Sequence, residues 1–233
     1  MSFRWEIIGL AFTFVGAGAV LPGDWESLFQ LEGKPVISRK DMGYLALSAT
    51  ETCLKFCNDA GILNDVVSWL TCQHTYLTTF IHGDRDYRGW RALGDLTTVI
   101  FTLGLNQPSS DSDIPFWLSE TRKRIMGSAY SADKQSATFL GRPPRLSWRF
   151  CNITLPLDIS FREVVAEPSV RDMAISRLDA DGWSKTRSDS QAVWVRVALL
   201  MGPVRESILE LSLNQQVEGL PAKIEYGLFL NLT

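Results

Sequence analysis

The sequence predicts an all-α fold, a multi-helix array of antiparallel helices with one irregular extended segment after the long central helix. Three observations carry this. Apolar residues recur at spacings of three and four, as in Val67, Leu70, His74, Leu77 and Ile81. No stretch alternates apolar and polar residues long enough to require a sheet. Capping residues and Gly or Pro stops bracket the periodic runs.

Phe3 to Ala19 is apolar almost all round, which predicts a buried first helix. Arg4, the run from Ile7 to Leu21 and Ala17-Gly18-Ala19 also have features of a secretory leader. Against that, Glu6 adjoins the run, which is also shorter than the ~20 residues of a membrane span. Leu21-Pro22-Gly23 ends the helix, Asp24 suits the cap of a short helix over Trp25 to Leu31, and Gly33-Lys34-Pro35 reads as a turn. Ser38 to Ala60 suits a helix capped by Ser38 or Asp41 and stopped by a left-handed Gly61. Asn64 caps a run to about Ile81, broken at His82-Gly83-Asp84.

Tyr87 to Leu103 carries the stripe Trp90, Leu93, Leu96, Thr97, Ile100 and Leu103, and Gly104 ends it. Asn106 to Pro115 is a polar loop. Phe116 to Phe139 is the long central helix, with Ile125, Ala129, Ala132 and Ser136 on one side. Gly141-Arg142-Pro143-Pro144 stops it, because proline lacks the amide donor and restricts the residue before it. Leu146 to Ile159 is expected to be extended and irregular, Ser169 to Leu178 helical, and Asp179 to Asp189 a polar loop. Gln191 to Leu213 is an amphipathic helix with a kink point at Gly202-Pro203. Pro221 to Thr233 opens an apolar helical pattern without a cap, which suggests a sequence taken from something longer.

The 233 residues are 45% hydrophobic, enough for a single domain over 1–233 with its own core. Eight Trp and twelve Phe argue against disorder. A net charge of −3 and a pI of about 5.5 disfavour a grip on nucleic-acid phosphates, so no direct nucleic-acid contact is expected. Four cysteines, Cys53, Cys57, Cys72 and Cys151, are too few for a disulfide framework and suit free thiols in a reducing compartment.

Cys53 and Cys57, one helical turn apart, with Cys72 and His74 could share a metal, but they fall in apolar stripes, which favours core cysteines. His74 and His82 are the only histidines, and no Gly-x-Ser-x-Gly turn marks a nucleophile. Gly16-Ala17-Gly18 lacks the third glycine and the preceding strand of a dinucleotide site. No catalytic residue, cofactor or metal is therefore assigned. The basic cluster Arg122, Lys123, Arg124, Arg142, Arg145 and Arg149 could hold an anion, but internal pairing is favoured. Glu120 and Arg124 stand four apart on a helix, and Arg142 could bridge to Asp133. Tyr130 is expected to bury its ring and find a partner for its hydroxyl.

In order and spacing these residues resemble the middle homology region of fungal zinc-cluster transcription factors, the fungal-specific or xylanolytic-activator-type regulatory domain. The resemblance opens with Phe3-Arg4-Trp5-Glu6-Ile7-Ile8-Gly9. It continues through Trp90, Arg91, Gly94 and Asp95 to Leu103-Gly104-Leu105. Its most distinctive block is Glu120, Arg122, Lys123, Arg124, Tyr130, Asp133, Lys134, Gly141, Arg142, Pro143 and Pro144. Cys151 with Leu155-Pro156-Leu157-Asp158, Gly182-Trp183 and Arg205 to Leu211 complete it. The sequence departs from the pattern at Ile125, Met126 and Gly127, where aromatics are common. Glycine there implies a softer helix, by about 1 kcal/mol relative to alanine.

The resemblance implies a nuclear regulatory domain of a transcription regulator that responds to a small-molecule inducer or a regulatory protein. It implies no membrane partner, and possible homodimerisation through parts outside this sequence. The family's six-cysteine zinc cluster is not among these residues, so DNA and zinc binding are implied only for the missing N-terminal part. A free-standing paralogue that titrates full-length regulators is the alternative. The expected ligand site is a mostly apolar pocket between helices with a few polar groups at its rim.

Overall fold

The computed structural model describes residues 4–21, 37–108, 114–186 and 190–213. The short helix expected over 25–31, the turn at 33–35, the middle of the loop before the central helix and the apolar pattern from 221 lie outside them. Among the described residues the fold is all-α. It has eight α-helices, one 3-10 turn at Trp148–Phe150 and one isolated antiparallel bridge between Leu178 and Ser184. The helices fall into two compact units, Met1–Leu103 and Gly104–Thr233.

The first unit holds α1 (Trp5–Val20), α2 (Arg39–Asp59), α3 (Asp65–His82) and α4 (Tyr87–Thr102). The Ser38 hydroxyl accepts the Asp41 amide at 3.0 Å and caps α2, while Asn64 accepts the Val67 amide at 3.0 Å and caps α3. Gly61 has a φ of 63°, the left-handed stop read from the sequence. Helix α1 lies against α2 and α3. It departs from the expectation of burial all round. The inward face is Glu6, Gly9, Thr13, Gly16 and Ala19, while the larger Ile7, Phe14 and Val15 are exposed. Close backbone approach explains this, because a Cβ at Gly16 would stand 2.8 Å from Leu77 Cδ2 and 3.0 Å from Ala46 Cβ. Only small side chains fit the contact, so the large ones face outward.

Helix α3 buries Val67, Leu70 and Leu77, with His74 and Ile81 half-buried. Its inward threonines return their hydroxyls to the preceding turn, Thr71 to the Val67 carbonyl and Thr75 to the Thr71 carbonyl, each at 2.8 Å. Buried hydroxyls satisfied in this way carry no desolvation penalty. Helix α4 packs on α3 and buries Ala92, Leu93, Leu96, Thr97 and Ile100, each large apolar side chain worth about 1.5–3 kcal/mol.

The second unit holds α5 (Phe116–Leu140), α6 (Phe161–Val164), α7 (Pro168–Ser176) and α8 (Ala192–Leu213). The single turn α6 closes with a capping box between Ser160 and Glu163 that the sequence reading lacked. Helices α6 and α7 enclose a small core of Ile159, Val164, Ala174 and Leu178. Helix α8 runs through Pro203 and packs along α5. That contact explains the departure at Gly127. A Cβ there would lie 2.4 Å from Val195 Cγ1, so glycine admits α8 where a larger residue would hold it off. The inward face of α5 also differs from the expected stripe. Of Ile125, Ala129, Ala132 and Ser136 only Ala129 is buried, whereas Glu120, Tyr130, Asp133 and Lys134 are buried. The helix turns its charges inward because the second unit has buried main-chain groups for them to bind.

Candidate functional site

The residues singled out by the sequence separate by unit. Trp90, Arg91, Gly94 and Asp95 lie on α4, Trp90 and Gly94 half-buried, Arg91 and Asp95 exposed one turn apart. Glu120, Arg122, Arg124, Tyr130 and Asp133 lie on α5, and Gly141, Arg142, Pro143 and Pro144 follow it.

Asp133 organises the turn after α5. Gly141 takes φ 61° and ψ 43°, and its amide and that of Arg142 both return to the Ala137 carbonyl. The two prolines then turn the chain back along the helix. The Arg145 amide lies 3.0 Å from both carboxylate oxygens of Asp133, and the Leu146 amide 2.9 Å from Oδ2. This corrects the expected Arg142–Asp133 bridge, since loop and helix are tied by main-chain amides and not by a guanidinium fork.

Lys134 extends the cluster to α8. Its Nζ lies 3.2 Å from Asp133 Oδ2 and 2.9 Å from Glu206 Oε2, donates to the Leu146 carbonyl, and stands 4.4 Å from the Tyr130 ring centroid. Glu206 Oε2 also accepts the Trp148 amide at 3.1 Å. Tyr130 is buried against Gly202, where an added Cβ would come within 2.0 Å of Tyr130 Cε1. Among the described residues its hydroxyl has no hydrogen-bond partner, contrary to expectation. Burial raises the Tyr130 pKa, with Glu206, Cys151 and Asp133 adding to the shift. The Cys151 thiol is pushed up to about 11, chiefly by burial. Lys134 opposes the shift, and Glu206 and Asp133 reinforce it.

A second set grips the extended segment. Glu120 accepts the Leu157 amide at 2.9 Å on Oε2 and pairs with Lys123 at 2.6 Å on Oε1. Arg124 reaches the Ile159 carbonyl at 2.7 Å and the Leu157 carbonyl at 3.4 Å. The expected Glu120–Arg124 pair is thus replaced by Glu120–Lys123, with both Glu120 and Arg124 engaged on main chain. From α8, Arg196 donates to the Pro156 carbonyl at 2.5 Å and the Asp181 carbonyl at 2.7 Å, with its guanidinium 4.0 Å from the Trp183 ring centroid. Burial lowers the pKa of both guanidiniums, opposed by the neighbouring Glu120 and Asp158. Arg196 was not singled out from the sequence, and Lys134 and Glu206 entered only within the family resemblance, with no partner assigned to either. Arg196, Leu199, Gly202, Glu206 and Leu209 share one inward face of α8, so charges within an otherwise small or apolar stripe were the available signal.

In the first unit, Cys53, Cys57 and Cys72 are free and buried, and burial raises each thiol pKa. Among the described residues no group of three or more His, Cys, Asp or Glu is placed to hold a metal ion. His74 is held near pKa 4 by burial, and the Thr78 hydroxyl beside it already donates to the His74 carbonyl at 2.8 Å. Where α1 ends and α2 begins, against the end of α3, a cavity of about 350 Å³ is lined by Ala19, Val20, Tyr44, Phe80 and Ile81, with Arg39 and Lys40. Arg39 donates to the Ala19 carbonyl at 2.9 Å and also to the Leu21 carbonyl.

Residues 65–193, more than half of the sequence, match the family described as the fungal specific transcription factor domain. The chain belongs to that family. The matched region opens at the first residue of α3 and closes in the first turn of α8, so it contains the Asp133 turn and the gripped segment but not Arg196 or Glu206. No curated protein and no solved structure matches the chain. Among the described residues no helix is long and apolar enough to cross a membrane.

Proposed function

We propose that this domain is the signal-receiving part of a fungal transcription regulator. It acts in the nucleus beside DNA-contacting segments that lie outside these residues, and its two units serve one regulatory function. Family membership supports the general reading. The observation that carries the finer one is the use made of the central charges. Glu120, Arg124, Asp133, Lys134 and Arg196 bind the chain's own amides and carbonyls, which is scaffolding and not bond-making. A histidine held near pKa 4 is a weak base at neutral pH, which supports a non-catalytic role.

The signal in this reading is a small metabolite with an apolar body and an acidic group. The cavity at the end of α1 has the size and apolar lining of a small-molecule site, and Lys40 stands among its lining residues. The ligand shifts the regulator between two states by preferring one of them.

The test places the full chain between a heterologous DNA-binding module and an activation segment and follows a reporter across nutrient sources. The expected result is nutrient-dependent output that Lys40→Glu abolishes. Output identical with and without the chain in every medium would sink the proposal.

A further inference from the structure

The inward face of α8 is Ala192, Arg196, Leu199, Gly202, Glu206 and Leu209, which carries both of the helix's buried charges and its glycine. The opposite face is the apolar one. Trp194, Val197, Met201, Val204, Ile208 and Leu211 follow one another at spacings of 3-4-3-4-3. Trp194 is 76% exposed, Met201 53% and Ile208 59%; Val197 is also exposed, and Val204 and Leu211 are half-buried. A surface helix ordinarily shows the reverse, apolar residues inward and charges outward.

That spacing is the seam of a helix that pairs with another helix. It reads the same in both directions, so a second α8 laid antiparallel meets it position for position about a midpoint between Met201 and Val204. The flanking positions are Ala198, Leu200, Ser207 and Ser212, with Arg205 the one charge among them. Partner choice in such seams is normally set by flanking charges of opposite sign. With no such pattern here, no differently charged helix is selected and an identical one is not repelled.

Area agrees with this. The seam leaves on the order of 500 Å² of apolar side chain per copy, the upper range for a single patch on a monomer. A two-fold pairing covers on the order of 1,000 Å², the size from which specific interfaces begin.

We propose that α8 is a dimerisation helix and that its outward seam is covered by the same seam of a second copy of this chain. The proposal stands independently of the signal-receiving role.

Sedimentation velocity of the full chain up to about 100 μM tests it, in the range where interfaces of this size associate. The expected result is a concentration-dependent monomer–dimer equilibrium. Met201→Glu and Val197→Glu are each expected to weaken it at least about 30-fold, the effect of losing a central interface residue. Met173→Glu, at an exposed position on α7, leaves it unchanged. Helical circular dichroism and Tm equal to the parent show that the seam variants are folded. A monomer at every concentration overturns the proposal and means that some other surface or protein covers the seam. A dimer indifferent to both seam variants overturns it too, because the contact then lies elsewhere.

Discussion

Replacing Asp133 with alanine removes the acceptor for three donors at once. The Arg145 amide at 3.0 Å, the Leu146 amide at 2.9 Å and Lys134 Nζ at 3.2 Å all depend on that carboxylate. Each buried donor left without an acceptor costs about 1–3 kcal/mol, and breaking a buried ion pair by removing one partner costs about 3–5 kcal/mol. These contributions overlap, because Lys134 keeps Glu206 and the Leu146 carbonyl. A loss of about 4 kcal/mol is expected, a large share of the 5–15 kcal/mol that holds an ordinary domain folded. Asp133→Asn keeps one acceptor oxygen but sets an NH₂ against a donor, so it should fall between parent and alanine. Arg142→Ala should cost at least about 1 kcal/mol less than Asp133→Ala, because main-chain amides, not the guanidinium, close the carboxylate. Equilibrium urea unfolding of the four proteins gives the order directly. If Asp133→Ala stays within about 1 kcal/mol of the parent, or Arg142→Ala proves the more damaging, the amide-bound turn is wrong.

Gly202→Ala puts a methyl 2.0 Å from the Tyr130 ring, so it should destabilise the second unit by about 2–3 kcal/mol. Tyr130→Ala in the same chain opens the space, and the pair should then be at least about 1 kcal/mol less harmful than the sum of the single changes in urea titrations. One component of the pH dependence comes from His74. Its folded pKa, lowered by burial to about 4, lies below its ordinary value of 6.5. The unfolded chain therefore takes up the proton first, and stability present above pH 6.5 is lost as the pH falls toward 4, by up to about 3 kcal/mol. His74→Leu should remove that component. An unchanged difference between parent and variant from pH 7 to pH 4.5 would refute it.

The helices were legible in the sequence because their signals are local. Ser38, Asn64, Gly61 and Gly141 act within a turn of where they stand, and the structure uses them as read. Which face of a helix turns inward was less legible. On α5 the apolar period pointed to Ile125 and Ala132, while the fold buries Glu120, Asp133 and Lys134. On α1 the large side chains face outward because Gly9 and Gly16 bring the backbones together. Both departures share a cause. The inward choice is decided by main-chain groups and close contacts supplied by distant segments, and hydrophobic periodicity does not encode them. The ion partners failed for the same reason. Arg142 and Asp133 are near in sequence, but the amides of Arg145 and Leu146 are nearer in space.

The stretch from Pro156 to Ile159 is held at its peptide groups. Arg196 takes the Pro156 carbonyl, Glu120 and Arg124 the Leu157 amide and carbonyl, and Arg124 with Ser190 the Ile159 carbonyl. A grasp on peptide units is unforgiving of spacing, and here it is joined by side-chain demands, since Ile159 fills the small core and Asp158 accepts the Ser184 amide at 3.0 Å. A one-residue insertion or deletion along this stretch would misalign every one of those handholds together.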